Sequence, residues 1–197
     1  PAIAKWFVDF ARQESGDIFE VEDVDLASFK LPVFDEPKHP RFSEYEHAHT
    51  KAWSASVDGA DAFVFVTPEY NHGPPPSYVN AMTYLAKEWA YKPAAFVSYG
   101  GVSGGLRGVH VAKTIMTTMK MVPILEAVPI PMFAESLKDG VFEALVLPPN
   151  ISVVVAAVAG SSGTRALSVS VGHFLWQCLS LLSVLHWSWL PQEASYT

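Results

Sequence analysis

The chain has 197 residues, of which 50% are hydrophobic and 17% are charged. This composition fits one globular domain with a large core and excludes a disordered chain. Twenty acidic residues against thirteen basic ones give a formal net charge of −7, the wrong sign for binding nucleic acid phosphates. We therefore expect no nucleic acid partner. The single cysteine, Cys178, excludes an intrachain disulfide framework and fits a reducing, cytoplasmic compartment.

Helical and strand patterns alternate along the chain. A first helix is predicted to open at Pro1, because Ile3, Trp6, Phe7 and Phe10 recur at helical spacing, and this segment does not resemble a signal peptide. Strands are predicted over residues 17–23, 60–67, 93–99 and 123–128, and further helices over residues 50–57, 77–89 and 106–119. Such alternation implies crossover connections, and hence an α/β fold with a parallel sheet and helices on both faces.

Two unusual loops follow neighbouring strands. The first, residues 67–73 (TPEYNHG), leaves the most apolar strand and is followed by three prolines. The second, residues 98–105, has four glycines within six residues. Glycine allows positive φ and lets a ligand approach the backbone closely. Because ligands of such folds bind beyond the carboxyl ends of the strands, the two loops predict one ligand site.

These motifs resemble a known family. The run FVFVTPEYN (residues 63–71), Asn80-Ala81, Lys92-Pro93, and the pair SYGG and SGGLR are similar to the NADPH-dependent FMN reductase family, over about residues 1–135. The resemblance implies a flavodoxin-like fold and FMN as cofactor, with NADPH or NADH as co-substrate. It also implies hydride transfer to a small-molecule acceptor such as a quinone or free flavin, and a homodimer or homotetramer.

The resemblance also implies which residues bind the flavin. One loop would line the ring and the ribityl chain, and the other would bring backbone N–H groups to the pyrimidine carbonyl end. The residues implied are Pro68, Glu69, Tyr70, Asn71, Tyr99, Gly100, Gly101, Ser103 and Gly104. Glu69 has a competing interpretation as a turn or salt-bridge residue. No catalytic side chain is expected.

Other polar residues receive a structural interpretation. His39, His47 and His49, with Glu44 and Glu46 nearby, suggest a metal site but are interpreted as a solvated face. We therefore expect no metal ligands. Arg107 has two interpretations, a contact to a cofactor phosphate or an exposed residue at a helix start.

The two ends of the chain depart from the family pattern. The family places a strand and a phosphate loop before the first helix, so the resemblance implies that residues 1–142 form a flavodoxin-like domain lacking both at their usual place. The strand at residues 17–23 would then lack a neighbour, since such sheets have the order 2-1-3-4-5. Residues 143–197 are predicted to be an atypical apolar tail, with Arg165 as the only charged residue between Glu143 and Glu193.

Three interpretations of this tail stay open. Residues 166–190 are long enough to span a membrane, although polar residues dilute the segment and argue against a span. Alternatively, residues 151–159 form a strand, Gly160–Arg165 a phosphate-loop-like turn, and a helix starts at Ala166, so that the tail replaces the missing elements. The third interpretation is an unrelated segment. The function hypotheses are an FMN-dependent NAD(P)H oxidoreductase and, alternatively, a non-catalytic flavodoxin-like scaffold with weak or no FMN binding.

Overall fold

The computed structural model describes residues 2–15, 19–144, 148, 151–160 and 166–171. The helices are Ala2–Ser15 (α1), Ala48–Gly59 (α2), Pro76–Thr83 (α3), Leu106–Thr118 (α4) and Ile151–Gly160 (α5). The strands are Glu20–Asp25 (β1), Ala62–Pro68 (β2), Pro93–Tyr99 (β3), Val122–Ile130 (β4), Leu137–Lys138 (β5), Val141–Phe142 (β6) and Ala166–Val171 (β7). The short strands β5 and β6 form an antiparallel hairpin.

The main sheet has five strands in the order β1-β7-β2-β3-β4. Every neighbouring pair is parallel, which confirms the predicted α/β class. In a doubly wound sheet of order 2-1-3-4-5, the second place belongs to the strand that comes first in the chain. Here the last described strand, β7, fills that place and pairs with both β1 and β2.

In the second interpretation of the tail, the strand and the helix are both wrong. Residues 151–159, predicted as a strand, belong to helix α5, whose buried residues Ile151, Val154, Val155 and Val158 follow helical spacing. The helix predicted from Ala166 is a strand over residues 166–171. A continuous apolar run fits a buried strand and a buried helix equally well, so the pattern alone could not separate them. The domain boundary after Phe142 stays a prediction.

Two hydrophobic clusters cover the two faces of the sheet. Helices α1 and α5 pack against Val64 and Val66 of β2 and Val97 of β3. Helices α2, α3 and α4 pack against Phe63 and Phe65 on the opposite face. Because successive residues of a strand point to opposite faces, the sequence FVFV divides its side chains between the clusters. Phe63, Val64 and Val66 are at most 2% exposed, so β2 is fixed at the centre of the molecule.

The predicted helix over residues 77–89 is shorter in the structure. Helix α3 ends at Thr83, and Lys87–Trp89 forms a separate 3-10 turn. The buried carboxylate of Glu88 accepts the N–H of Ala86 at 3.2 Å and the hydroxyls of Tyr45 at 2.9 Å and Ser54 at 2.7 Å. The bonds to Tyr45 and Ser54 thus join this turn to residues far away in the chain.

The membrane interpretation of the tail concerns residues that are mostly undescribed. Its first six residues form β7, and residues 172–190 lie outside the described part of the chain. Among the described helices, none has both the length and the apolar character needed to cross a bilayer.

Candidate functional site

The two predicted ligand loops lie side by side at one edge of the sheet. Pro68, the last residue of β2, pairs with Tyr99, the last residue of β3, and Tyr99 pairs with Ile130 of β4. The segment that follows Pro68, residues 69–75, is called the first loop below. The segment that follows Tyr99, residues 100–105, is called the glycine loop. Their predicted proximity is confirmed by this register.

The first loop contains a tight turn with Asn71 and His72 at its tip. Tyr70 and Gly73 exchange two backbone hydrogen bonds of 2.9 Å. Asn71 has φ +50° and His72 has φ +65°, and positive φ at both central positions is typical of a type I′ turn. Asparagine adopts this left-handed conformation more readily than most residues. The turn leaves the side chains of both residues exposed.

The glycine loop owes its shape to Gly104 and Gly105. Both have positive φ, +59° and +86°. A Cβ at Gly105 would lie 2.8 Å from Cβ of Ser98 and 2.9 Å from the backbone nitrogen of Tyr99. In contrast, a Cβ at Gly101 would meet nothing within 4 Å. The loop therefore needs Gly104 and Gly105 to fold, whereas Gly101 faces open space.

Three consecutive backbone donors are available on the glycine loop. Within the described residues, the N–H groups of Gly101, Val102 and Ser103 have no hydrogen-bond acceptor. Val102 is 87% exposed, so this part of the loop is open to solvent. Successive backbone N–H groups in such a turn bind carbonyl oxygens and anions. The glycine loop can therefore hold an electron-rich group of a ligand.

Glu69 connects the two loops. Its Oε2 atom accepts hydrogen bonds from the Ser103 hydroxyl at 3.1 Å and from the N–H groups of Arg107 at 3.0 Å and Gly108 at 3.2 Å. Burial alone would raise its pKa, but the Gly108 N–H, the Ser103 hydroxyl and the Arg107 guanidinium outweigh burial and hold the pKa below the ordinary value. The carboxylate is thus ionised and caps the first turn of α4.

The structure divides the predicted cofactor residues by accessibility. An exposed residue can contact a ligand directly, through its side chain or, for glycine, its backbone. A buried residue can contribute only by shaping the backbone of the loop. Exposed are Asn71 and Gly101; partly buried are Glu69, Tyr70, Tyr99, Gly100 and Ser103; buried are Pro68 and Gly104. That these residues bind FMN stays a prediction.

The sequence interpretation missed the role of Arg107. Its guanidinium lies 3.0 Å from Oε1 of Glu69, 2.7 Å from Nε2 of His72 and 3.1 Å from the hydroxyl of Ser103. No local pattern signals these contacts, because Ser103 precedes the predicted helix and both Glu69 and His72 lie more than thirty residues away in the chain.

The histidines near residue 47 contact a carboxylate at another part of the molecule. His49 Nε2 lies 3.0 Å from Oδ1 of Asp35, and the rings of His47 and His49 stack at 5.2 Å. Tyr84 donates its hydroxyl to the same Asp35 oxygen at 2.8 Å. In the part of the chain that the structure describes, no three His, Cys, Asp or Glu side chains are arranged to hold a metal ion.

The segment predicted to replace the phosphate loop lies largely outside the described residues, since residues 161–165 are not described. The strand that follows it in the chain, β7, is described. Ala166 pairs with Glu20 and Leu167 pairs with Ala62, so β7 begins at the amino ends of its neighbours. The first loop and the glycine loop lie at the carboxyl ends. A six-residue strand is about 20 Å long. The first residue of β7 therefore lies about one strand length from the candidate site.

Comparisons with known proteins agree with the fold and the motifs. The NADPH-dependent FMN reductase family matches residues 1–135. An NAD(P)H-dependent FMN reductase of Schizosaccharomyces pombe is 40% identical over 136 residues, which cover 66% of this chain and 66% of that protein. A second NAD(P)H-dependent FMN reductase, from Nectria sp, is 33% identical over 123 residues and 61% of its length. The chain thus matches slightly less than two thirds of these relatives.

A solved structure supports the fold. The flavoenzyme NAD(P)H:(acceptor) oxidoreductase FerB from Paracoccus denitrificans superposes with a TM-score of 0.62 at 19% identity, covering 81% of this chain and 88% of that chain. Together with the sheet order, this likeness confirms the flavodoxin-like prediction. The family match over residues 1–135 carries the motifs of both loops. The chain belongs to the NADPH-dependent FMN reductase family, a family of oxidoreductases that use FMN and NAD(P)H.

Proposed function

We propose that this chain binds FMN across the carboxyl ends of β2 and β3 and acts as an NAD(P)H oxidoreductase. Its acceptor is a quinone, free flavin or a similar small molecule. The observation that carries the proposal is the run of three backbone donors at Gly101, Val102 and Ser103, beside the exposed Asn71 of the neighbouring loop. The three donors would fit the carbonyl end of a flat heterocycle, and Asn71 would fit its edge. They lie in the loops that follow two adjacent strands.

The donor set fits what a flavin needs from a protein. The bound cofactor would accept a hydride from NAD(P)H and pass reducing equivalents to the acceptor. The N–H groups of the glycine loop would bind the pyrimidine carbonyls and stabilise negative charge there. Because the loop already holds these donors in place, the protein would not have to rearrange when the charge develops. Asn71 would orient the ring edge through its amide. Pro68, Glu69, Tyr70, Tyr99, Gly100 and Gly104 would shape the backbone that presents these groups.

The finer assignments rest on the family. We propose a cytoplasmic homodimer or homotetramer with FMN as the cofactor and NADPH or NADH as the reductant. The relatives include both FMN reductases and a probable NADPH:quinone oxidoreductase from rice. Both names fit an open site, since Val102 and Gly101 stand at the surface.

One observation favours the alternative of a scaffold with weak FMN binding. A flavin phosphate needs a charged or N–H-rich anchor. Arg107, the arginine beside the two loops, directs its guanidinium to Glu69, His72 and Ser103 instead. The sequence candidate at residues 160–165 precedes β7, whose first residue, Ala166, pairs with Glu20 at the amino ends of the strands. Within the described part of the two loops, FMN affinity would then depend on contacts to the ring and the ribityl chain.

Absorbance of the purified chain and flavin titration separate the two functions. The enzyme hypothesis expects flavin absorbance bands in the purified or FMN-reconstituted protein, and turnover with NADPH and a quinone. The variant Gly101→Val should lower FMN affinity about tenfold or more, which corresponds to ~1.4 kcal/mol. The valine side chain would occupy the space beside the three backbone donors in which the flavin is proposed to bind. Gly59→Val is the matched control, since a Cβ there also meets nothing within 4 Å. Full flavin occupancy without turnover would favour the scaffold.

A further inference from the structure

One guanidinium holds three groups from the two loops at the candidate site. Arg107 Nε pairs with Glu69 Oε1 at 3.0 Å, and its two terminal nitrogens contact His72 Nε2 at 2.7 Å and Ser103 Oγ at 3.1 Å. Glu69 and His72 belong to the first loop, whereas Ser103 belongs to the glycine loop. We call these four residues the loop clamp. Such a fork of fixed donors sets distances and angles that a single flexible ammonium cannot set.

The buried member of the loop clamp is Glu69. Its side chain is only 7% exposed, against 48% for Arg107. Oxygen Oε2 is occupied by Ser103 and by two N–H groups of α4, so Oε1 is the atom that meets Arg107. The carboxylate is therefore held by four donors of the protein itself and is almost completely buried. Its place in the motif is explained by joining the loops.

The contact with His72 fixes the state of the imidazole. An arginine can only donate hydrogen bonds, so Nε2 of His72 must accept one and must carry no proton. The remaining ring proton then sits on Nδ1. This tautomer is a measurable signature of the loop clamp, because nitrogen chemical shifts distinguish a protonated from an unprotonated ring nitrogen.

We propose that Arg107 is a positioning residue that fixes the spacing between the first loop and the glycine loop, and thereby sets FMN affinity without touching the flavin. The proposal rests on the proposed function of FMN binding. The donors of Gly101 to Ser103 and the side chain of Asn71 belong to different loops, and a rigid ring can meet both only at one separation. Loss of the Arg107 fork leaves the Glu69–Ser103 hydrogen bond between the loops but removes the guanidinium contacts that fix their spacing, so binding must then supply the lost order.

The variant Arg107→Lys tests this role, with Arg41→Lys as the matched control. Lysine keeps the charge but loses the fork. We expect the FMN dissociation constant to rise about tenfold, with an unfolding midpoint within about 2 °C of the wild type because Arg107 is half exposed. In nitrogen-resolved NMR of the flavin-free protein, His72 should lose its fixed Nδ1–H tautomer. Arg41 is exposed and stacks on Phe42, so its variant should change none of these quantities.

A second variant separates the loop clamp from the helix cap. Glu69→Gln has one carbonyl oxygen for the N–H groups of α4, but its NH₂ group faces Arg107 donor to donor. It should raise the FMN dissociation constant about as much as Arg107→Lys, and combining the two should add little, as for residues that act in one network. Fully additive losses would overturn the proposal.

The variant His72→Ala keeps the test valid if Arg107→Lys does not fold. His72 is exposed in the turn, so its removal spares the core and should raise the dissociation constant about threefold. FMN affinity equal to the wild type in both Arg107→Lys and His72→Ala would overturn the loop clamp while leaving the proposed function intact. A wild-type chain that does not bind FMN would overturn the proposed function, and with it the role of Arg107 in affinity.

Discussion

The substitution Gly105→Ala tests whether the glycine at position 105 is required for the stability of the fold. The residue has φ +86°, and its Cβ would lie 2.8 Å from Cβ of Ser98, 2.9 Å from the nitrogen of Tyr99 and 3.0 Å from its carbonyl oxygen. The left-handed conformation costs an alanine about 1–2 kcal/mol. Forcing an atom against fixed backbone costs about 1–3 kcal/mol more. The expected loss is therefore about 2–5 kcal/mol, a fall of ~4–20 °C in Tm at this chain length.

The control for this experiment is Gly101→Ala in the same loop. Its Cβ would meet nothing within 4 Å, so stability should change by less than about 0.5 kcal/mol. Thermal unfolding followed by circular dichroism measures both variants, and FMN titration shows which one affects the ligand. Equal unfolding midpoints for the two variants would refute the assignment of Gly105 to folding and of Gly101 to the open side of the loop.

Three further predictions concern buried polar groups and kinetics. Tyr84→Phe should cost about 1.5–3 kcal/mol in urea unfolding, because its hydroxyl contacts Asp35 at 2.8 Å, whereas Tyr78→Phe should be neutral or stabilising, because its buried hydroxyl has no partner in the described residues. Glu36→Gln should make the free energy of unfolding depend less on pH in the acid range. Under the proposed function, steady-state kinetics with NADPH and a quinone should give parallel double-reciprocal lines, because NADPH and the acceptor would use the same open face of the flavin in turn.

The sign of the Glu36 prediction follows from its contacts. Burial would raise its pKa, but the N–H groups of Glu46 at 2.8 Å and His47 at 3.0 Å help to hold the pKa below the ordinary value of 4.5. A carboxyl whose folded pKa is depressed adds stability above its unfolded pKa, and this contribution is lost as pH falls through the folded pKa. An unchanged acid limb in Glu36→Gln would contradict the reasoning. Equal losses of stability in Tyr78→Phe and Tyr84→Phe would contradict the prediction for the two tyrosines. Intersecting double-reciprocal lines would contradict the kinetic prediction.

Local patterns were enough for most of the fold and for placing the two loops of the candidate site next to each other. The prediction of a strand over residues 93–99 matches β3, and a helix predicted over residues 106–119 ends within one residue of α4. Both loops could be found because proline restricts the backbone and glycine permits positive φ, and both effects are local in the chain. Their proximity followed from the rule that parallel strands end at one edge. These features depend on near neighbours in the chain.

Tertiary structure decided the features that depend on distant residues. In the apolar run at residues 151–158 every side chain but one serine is hydrophobic, so only packing on the sheet and α1 selects the helix. The sequence ALSVSV alternates as a strand does, but its place between β1 and β2 is a contact across more than a hundred residues. Glu69 carried two interpretations in the sequence, a flavin contact and a salt bridge. Its carboxylate joins α4 and Arg107 because a buried charge must find donors, and the fold decides which donors are within reach.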